Sequence, residues 1–98
     1  MARRLPPLNS LKCFEVAGRL LSFTGASREL NVTQAAVSHQ IKVLEDYLNT
    51  PLFVRLPRRL ALTDAGKALL PDIIEAFDKI SNSIGAIDQD ETSNILSV

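Results

Sequence analysis

The stretch from Ser22 to Lys42 constrains the fold most, because it carries the signals of two short helices joined by one tight turn. Ser22 and Thr33 are residue types that cap helix N-termini, and Asn31 tolerates the left-handed conformation in which a helix ends abruptly. The sequence therefore predicts a helix-turn-helix over about residues 23–42.

The second predicted helix has one apolar face and one open face. Its apolar residues recur with the period of a helix that buries one side: Val37, Ile41, Leu44 and Leu48. The open face carries donors, acceptors and one methyl group, which suit base edges in a major groove: Gln34, Ala35, Ser38, His39 and Lys42. We expect Val32 to fill the corner between the helices. On this stretch alone, a helical hairpin with a merely solvated polar face is the alternative.

A second motif follows the helices, where two short apolar runs flank Pro57-Arg58-Arg59. The pattern predicts a β-hairpin, or wing, with a basic tip over about residues 52–62. A charge run on a hairpin is often only solvated. Directly after a recognition-type helix, however, arginines indicate contacts with phosphates or with an adjacent minor groove.

The residues after the wing predict one long helix over residues 64–88, about 35 Å in length. Apolar residues recur along it at alternating spacings of three and four: Leu70, Ile73, Phe77, Ile80, Ile84 and Ile87. We expect Leu69, Leu70 and Ile73 to cover the chain's own core. The last three isoleucines lie beyond the reach of so small a domain, which favours a homodimer through the long helix.

The formal net charge of zero hides an asymmetry. Residues 1–62 hold nine basic and four acidic residues, a net charge of +5, whereas residues 63–98 hold two basic and seven acidic residues, a net charge of −5. Attraction to phosphate depends on the local potential within a Debye length, so the distant acidic part does not cancel the basic part.

The composition argues against catalysis and against a metal or cofactor site. One histidine and one cysteine, with no carboxylate at ligand spacing, predict no metal site, no cofactor and no catalytic residue. Cys13 cannot form an intramolecular disulfide, and no apolar run approaches the length of a membrane span or a signal peptide core. These features predict a cytoplasmic protein.

A longer series of residues follows a familiar order and spacing: Leu8-Asn9-Ser10-Leu11 with Phe14, Ser22-Phe23-Thr24 with Ala26, Val32-Thr33-Gln34 with Ala36-Val37-Ser38 and Ile41, Leu44-Glu45, Leu52-Phe53 with Arg55, and Leu62-Thr63 with Ala65-Gly66. This series resembles the LysR-type transcriptional regulators over about residues 6–90. The run from Gln34 to Lys42 looks most like the branch that contains the glycine-cleavage activator and the β-lactamase regulators. Departures from the family pattern stand at Gly25, Ser27 and His39.

The resemblance implies a mainly α winged helix-turn-helix with a long dimerisation helix, in three parts. Residues 6–63 would form the DNA-binding domain, residues 64–88 the linker and dimerisation helix, and residues 89–98 a polar linker leading into the first strand of a ligand-sensing domain that the chain lacks. A small-molecule effector would bind only through that missing domain. The resemblance leaves a tetramer of the full-length protein open.

The resemblance also implies which side chains contact a partly dyad-symmetric double-stranded DNA operator. Base edges would be read by Gln34, Ala35, Ser38 and His39. The DNA backbone would be contacted by Thr24, Thr33, Gln40 and Lys42, with Arg55, Arg58 and Arg59 in or beside the wing. Two other classes stay open at this point: a winged helix used for protein–protein contact, and a small helical enzyme or redox protein built around Cys13 and His39.

Overall fold

A computed structural model gives the structure of residues 4–97, with side chains described for residues 4–88. Its helices and strands are, in chain order, α1 (Leu8–Leu20), α2 (Phe23–Leu30), α3 (Gln34–Leu48), β1 (Phe53–Leu56), β2 (Arg59–Leu62) and α4 (Asp64–Ser97). We call residues 8–62, which contain α1 to β2, the head. The prediction of a mainly α winged helix-turn-helix followed by a long helix is confirmed.

Both helices of the helix-turn-helix begin after their predicted capping residues, and α2 ends at Asn31 as predicted. The Ser22 side chain accepts a hydrogen bond from the backbone N–H of Gly25 at 2.8 Å, and the Thr33 side chain accepts one from Ala36 at 3.0 Å. Asn31 follows α2 with a φ of 58°, in the left-handed region. Local bonds of this kind fix where each of the two helices begins.

The core of the head forms where the helices meet the wing around three aromatic rings. Phe53 of β1 packs edge to face on Phe14 of α1 and Phe23 of α2, with ring centroids 5.7 and 5.3 Å apart. The apolar face predicted for α3 is buried at the first three of its four positions: Val37, Ile41 and Leu44.

Two apolar residues predicted to be buried lie at the surface instead. Val32 is 45% exposed, because the corner is closed by backbone: the N–H of Val32 donates to the carbonyl of Ser27 at 2.9 Å. Leu48 is 38% exposed, because it lies at the end of α3 beside Asn49, whose left-handed backbone turns the chain away from the helix. Both predictions were wrong.

The wing is a two-stranded antiparallel hairpin. Its register pairs Phe53 with Leu62 and Leu56 with Arg59, which leaves Pro57 and Arg58 as a two-residue turn. Buried Phe53 anchors the hairpin to the helices, as strands this short require. The predicted wing at residues 52–62 is confirmed.

Helix α4 lies against the head only at its beginning. Four of its apolar residues pack on the head's core: Leu69, Leu70, Ile73 and Phe77. The approach is close, because a Cβ atom on Gly18 of α1 would lie 3.0 Å from the Leu70 side chain. The core role predicted for Leu69, Leu70 and Ile73 is confirmed, and Phe77 joins them. The last three residues of the predicted seam are more than half exposed: Ile80, Ile84 and Ile87.

Helix α4 is longer than predicted. The polar linker expected from residue 89 and the strand expected from residue 95 are helical as far as Ser97, and Val98 lies outside the described residues. The prediction of a helix end at residue 88 was wrong because no glycine or proline follows Gly85 to end the helix. Polar residues alone do not stop a helix that is already propagating.

Candidate nucleic-acid interface

The face of α3 opposite the core is open and polar. Gln34, Ala35, His39 and Lys42 are exposed, and Ser38 is half-buried. The burial of Val37 and Ile41 fixes the rotation of the helix, so these side chains share one side of it. The structure thus brings together the four residues predicted to read bases.

Gln40 is held by α1 rather than standing on the open face. Its Oε1 atom accepts a hydrogen bond at 2.8 Å from the hydroxyl of Ser10, a fully buried residue of α1. This bond joins the recognition helix to α1. The bond leaves the amide NH₂ group of Gln40 available as the donor that the predicted contact with a phosphate oxygen needs.

Two exposed threonines mark the N-termini of the helix-turn-helix. Thr24 lies in the first turn of α2, and Thr33 caps α3. The first N–H groups of a helix carry partial positive charge and bind anionic oxygens. Both threonines stand where a phosphate could receive a hydroxyl together with these backbone groups.

The wing is fastened to the start of α2 by Arg55. Its guanidinium carbon lies 5.0 Å from the centroid of the Phe23 ring, and Phe23 in turn packs on Phe53. Alternate residues of a strand point to the same side, so Arg55 and Phe53 both face the helices. Arg55 is exposed at its other side, which places a positive charge between the wing and the helix-turn-helix.

The tip of the wing carries two further exposed arginines, Arg58 and Arg59. Arg58 has a φ of 65°, a conformation that favours glycine or asparagine and is unfavourable for arginine. The turn would be more stable with glycine at this position. The backbone conformation therefore does not explain why an arginine is found there.

The basic side chains of the head differ in whether a carboxylate pairs with them. Arg19 hydrogen-bonds to Glu15 at 2.8 Å and to Glu29, and these bonds raise the pKa of the guanidinium. Lys42 lies 4.0 Å from Asp46 with both side chains largely exposed, which makes a weak pair. The wing arginines form no ion pair with any residue between 4 and 88. Positive charge is therefore uncompensated at the wing.

The redox alternative lacks support in the geometry. Cys13 is buried, and this burial raises the pKa of its thiol, which disfavours the reactive thiolate. His39 lies on the exposed face of α3. Among the described residues there is no cluster of metal-ligating side chains and no helix long and apolar enough to span a bilayer.

Three residues position the interface, although sequence reasoning named them only within the family series and gave them no role: Ser10, Phe23 and Glu45. Glu45 accepts hydrogen bonds from the backbone N–H groups of Leu52 and Phe53 at 2.7 and 3.3 Å, which ties α3 to the start of the wing. A lone glutamate after an apolar residue on a helix gives no signal of such a bond. Only the fold brings it to the loop.

Comparison with known proteins decides the family. The model of the bacterial regulatory helix-turn-helix proteins of the LysR family matches residues 8–67, which is α1 to β2 and the first turn of α4. The chain belongs to this LysR family. Its members are regulatory proteins, which confirms both the resemblance and the prediction that the chain is not an enzyme.

The LysR-family relatives fit the predicted branch. The chain is 52% identical over 92 residues to the transcriptional activator AmpR of Providencia stuartii, covering 94% of this chain and 32% of AmpR. It is 54% identical over 83 residues to the glycine cleavage system transcriptional activator of Escherichia coli K12, covering 85% of this chain and 27% of that protein. The chain thus spans about a third of the length of these curated relatives.

Two solved complexes with DNA share the fold. The BenM_DBD/benA site 1 DNA complex has a TM-score of 0.77 and 25% identity, covering 85% of this chain and 93% of that one. The CbnR_DBD–DNA complex has a TM-score of 0.71 and 28% identity, covering 79% and 88%. The chain therefore carries a LysR-type helix-turn-helix DNA-binding domain.

Proposed function

We propose that this chain binds specific sites in double-stranded DNA as the dimeric DNA-binding part of a bacterial transcriptional regulator that acts in the cytoplasm. The observation that carries the proposal is the open polar face of α3 beside a wing whose Arg55 is stacked on α2. A polar helix face offers hydrogen bonds to base edges, and uncompensated arginines offer charge to phosphates.

In this proposal α3 lies in the major groove. Glutamine can bond an adenine through two hydrogen bonds, the alanine methyl group can contact a thymine methyl group, and serine and histidine can donate or accept at base edges. The side chains assigned to bases are Gln34, Ala35, Ser38 and His39.

The surrounding side chains are assigned to the DNA backbone. They are Thr24, Thr33, Gln40 and Lys42 around the two helix starts, with Arg55, Arg58 and Arg59 on the wing. The two exposed threonines at helix N-termini support this division, because phosphate oxygens are favoured there. Arg58 and Arg59 extend the contact past the edge of the major groove.

The dimer is assigned to the part of α4 beyond the head. Ile80, Ile84 and Ile87 form a stripe at heptad spacing, each more than half exposed in the single chain. A second copy of α4 would bury this stripe. Two recognition helices related by a dyad would then address half-sites about one helical turn, roughly 34 Å, apart or at a multiple of that distance.

The relatives support the wider proposal. Their names describe transcriptional activators, and they are about three times as long as this chain. A small-molecule effector is assigned to a further domain of such a protein. Tetramer formation is a proposal for the full-length form only.

Selection of bound sites from a random duplex library tests the proposed function. We expect a partly dyad-symmetric motif, with an affinity that falls steeply as salt rises, because bound phosphates release counterions. Binding without any sequence preference would contradict the proposed specificity, and the absence of any salt-dependent binding to duplex DNA would favour the protein–protein alternative.

A further inference from the structure

The junction between the head and α4 is held from several directions. Leu52 lies in the loop after α3, and its backbone N–H donates a hydrogen bond to Glu45 Oε2 at 2.7 Å. Its carbonyl oxygen accepts a hydrogen bond from the backbone N–H of Thr63 at 3.0 Å. Its side chain is fully buried in the core. The carbonyl of Leu52 is therefore a fixed point on the head.

Thr63 fastens the first turn of α4 to the same loop. Its hydroxyl donates a hydrogen bond to the carbonyl of Pro51 at 2.8 Å and accepts one from the N–H of Gly66 at 3.1 Å. One side chain thus caps the helix and attaches it to the head. Both bonds oppose rotation of the beginning of α4 relative to the loop.

Gly66 sets how closely α4 approaches the fixed point. It is buried, and a Cβ atom there would lie 2.4 Å from the carbonyl oxygen of Leu52 and 2.9 Å from the Leu62 side chain. The nearest atom belongs to backbone that is held by its own hydrogen bonds. Any side chain at this position must therefore push the helix away from the head.

We propose that Gly66 and Thr63 are positioning residues that fix the angle between α3 and α4, and thereby determine the half-site spacing that the dimer accepts on DNA. The inference rests on the proposed dimeric binding to DNA. Neither residue is assigned a contact with DNA or with the second copy.

The length of α4 amplifies a change at Gly66. Relieving the contact needs a shift of about 0.6 Å at Gly66, and Leu70, packed on Gly18 about 6 Å further along, acts as the pivot. Ile84 lies about 21 Å beyond the pivot, so it would move by about 2 Å. Two copies related by a dyad would double this to about 4 Å, close to the roughly 3.4 Å rise of one base pair.

A spacing series measures this effect with the full 98-residue chain. Duplexes would carry two copies of the half-site that the unmodified chain selects, separated in steps of one base pair. For Gly66→Ala we expect the preferred spacing to move by about one base pair and affinity at the original spacing to fall by roughly tenfold, because the DNA must deform to fit. Affinity for a single half-site should stay within about twofold.

Gly85→Ala is the matched control, since it makes the same substitution in the same helix, and outside the adjoining helix backbone no atom described for residues 4–88 lies within 4 Å of the added Cβ. It should keep the original preferred spacing. Equal loss of affinity at every spacing for Gly66→Ala, or an unchanged spacing optimum, would overturn the inference.

Thr63→Val tests the junction without added bulk, should Gly66→Ala fail to fold. It removes both hydroxyl hydrogen bonds, so we expect a broader range of accepted spacings, with the sharp preference restored by Thr63→Ser. If Thr63→Val keeps the sharp spacing preference of the unmodified chain, the inference about the junction is overturned, while the proposed dimeric function is unaffected. An unmodified chain that shows no spacing preference would contradict the proposed dimeric function as well.

Discussion

Helices α3 and α4 are both amphipathic, but they expose opposite kinds of surface. Each packs an apolar stripe into the core of the head. The stripe includes Val37 and Ile41 in α3, and Leu70 and Ile73 in α4. Beyond that stripe α3 exposes polar side chains, whereas α4 exposes isoleucines. An exposed polar face can exchange its water for the edges of base pairs, while an exposed apolar stripe is stabilised only by apolar contact. The comparison supports the two partners proposed for these helices, base pairs for α3 and a second copy of the chain for α4.

The largest effect is expected from placing charge on the apolar stripe of α4. Ile80→Asp combined with Ile84→Asp should turn dimers into monomers, because burying two unpaired carboxylates costs several kcal/mol. Sedimentation at tens of micromolar measures the change, and binding to a two-half-site duplex should fall toward that of a single half-site. The head should keep its melting temperature.

The control for this pair adds the same charges to another face of α4. Asn82→Asp with Ala86→Asp places two carboxylates on exposed positions away from the isoleucine stripe. This variant should stay dimeric. A monomeric control, or a dimeric Ile80/Ile84 double variant, would place the interface elsewhere.

A smaller effect is expected from the polar face of α3. Gln34→Ala or His39→Ala should weaken binding to the preferred site by about 1–3 kcal/mol and weaken binding to random duplex much less, because a lost base contact matters only where the right base is present. Competition mobility shifts on the two duplexes measure the ratio. If both variants keep the site preference of the unmodified chain, the recognition surface does not include this face.

The wing should contribute affinity for duplex DNA with little preference for its sequence. Arg58→Ala should weaken specific and random duplexes nearly alike and reduce the slope of log affinity against log salt by about one for each wing. Arg58→Gly should show the same loss in affinity with a more stable fold, since glycine suits a φ of 65°. An Arg58→Ala variant with an unchanged salt slope and a lost preference for A·T-rich flanks would assign this arginine to the minor groove.

The smallest effect is expected from Gly85, the glycine in the exposed part of α4. Gly85→Ala should stabilise the exposed part of the helix by up to about 1 kcal/mol, because glycine is the weakest helix former after proline. Thermal unfolding followed by circular dichroism at several protein concentrations would measure it. A lower melting temperature would mean that the second copy approaches α4 closely at this glycine.

Features that depend on neighbouring residues could be predicted from the sequence. The caps at Ser22 and Thr33 form hydrogen bonds within three residues, and the hairpin of the wing follows from the two apolar runs that flank Pro57-Arg58-Arg59. The polar and apolar faces of α3 follow from periodicity. These local rules account for the helix order and for the polar side chains that α3 exposes.

Features that depend on distant contacts could not be predicted in this way. The bond between Ser10 and Gln40 spans thirty residues, and the close approach of Gly66 to Leu52 exists only once the wing has folded back. Leu48 fits the apolar period of α3 but lies past the part of the head that would cover it. Periodicity identifies a face, and only the fold says how much of that face is covered.

The stacking of Arg55 on Phe23 has a consequence for the entropy of binding. An arginine that is already held over a ring has few rotamers left to lose when it meets a phosphate, whereas ordering a mobile side chain at an interface costs about 0.5–1.5 kcal/mol. Arg55 and Arg58 carry the same charge, but only Arg55 is restrained before DNA arrives. Arg55 should therefore gain more free energy from the same phosphate contact than Arg58 does.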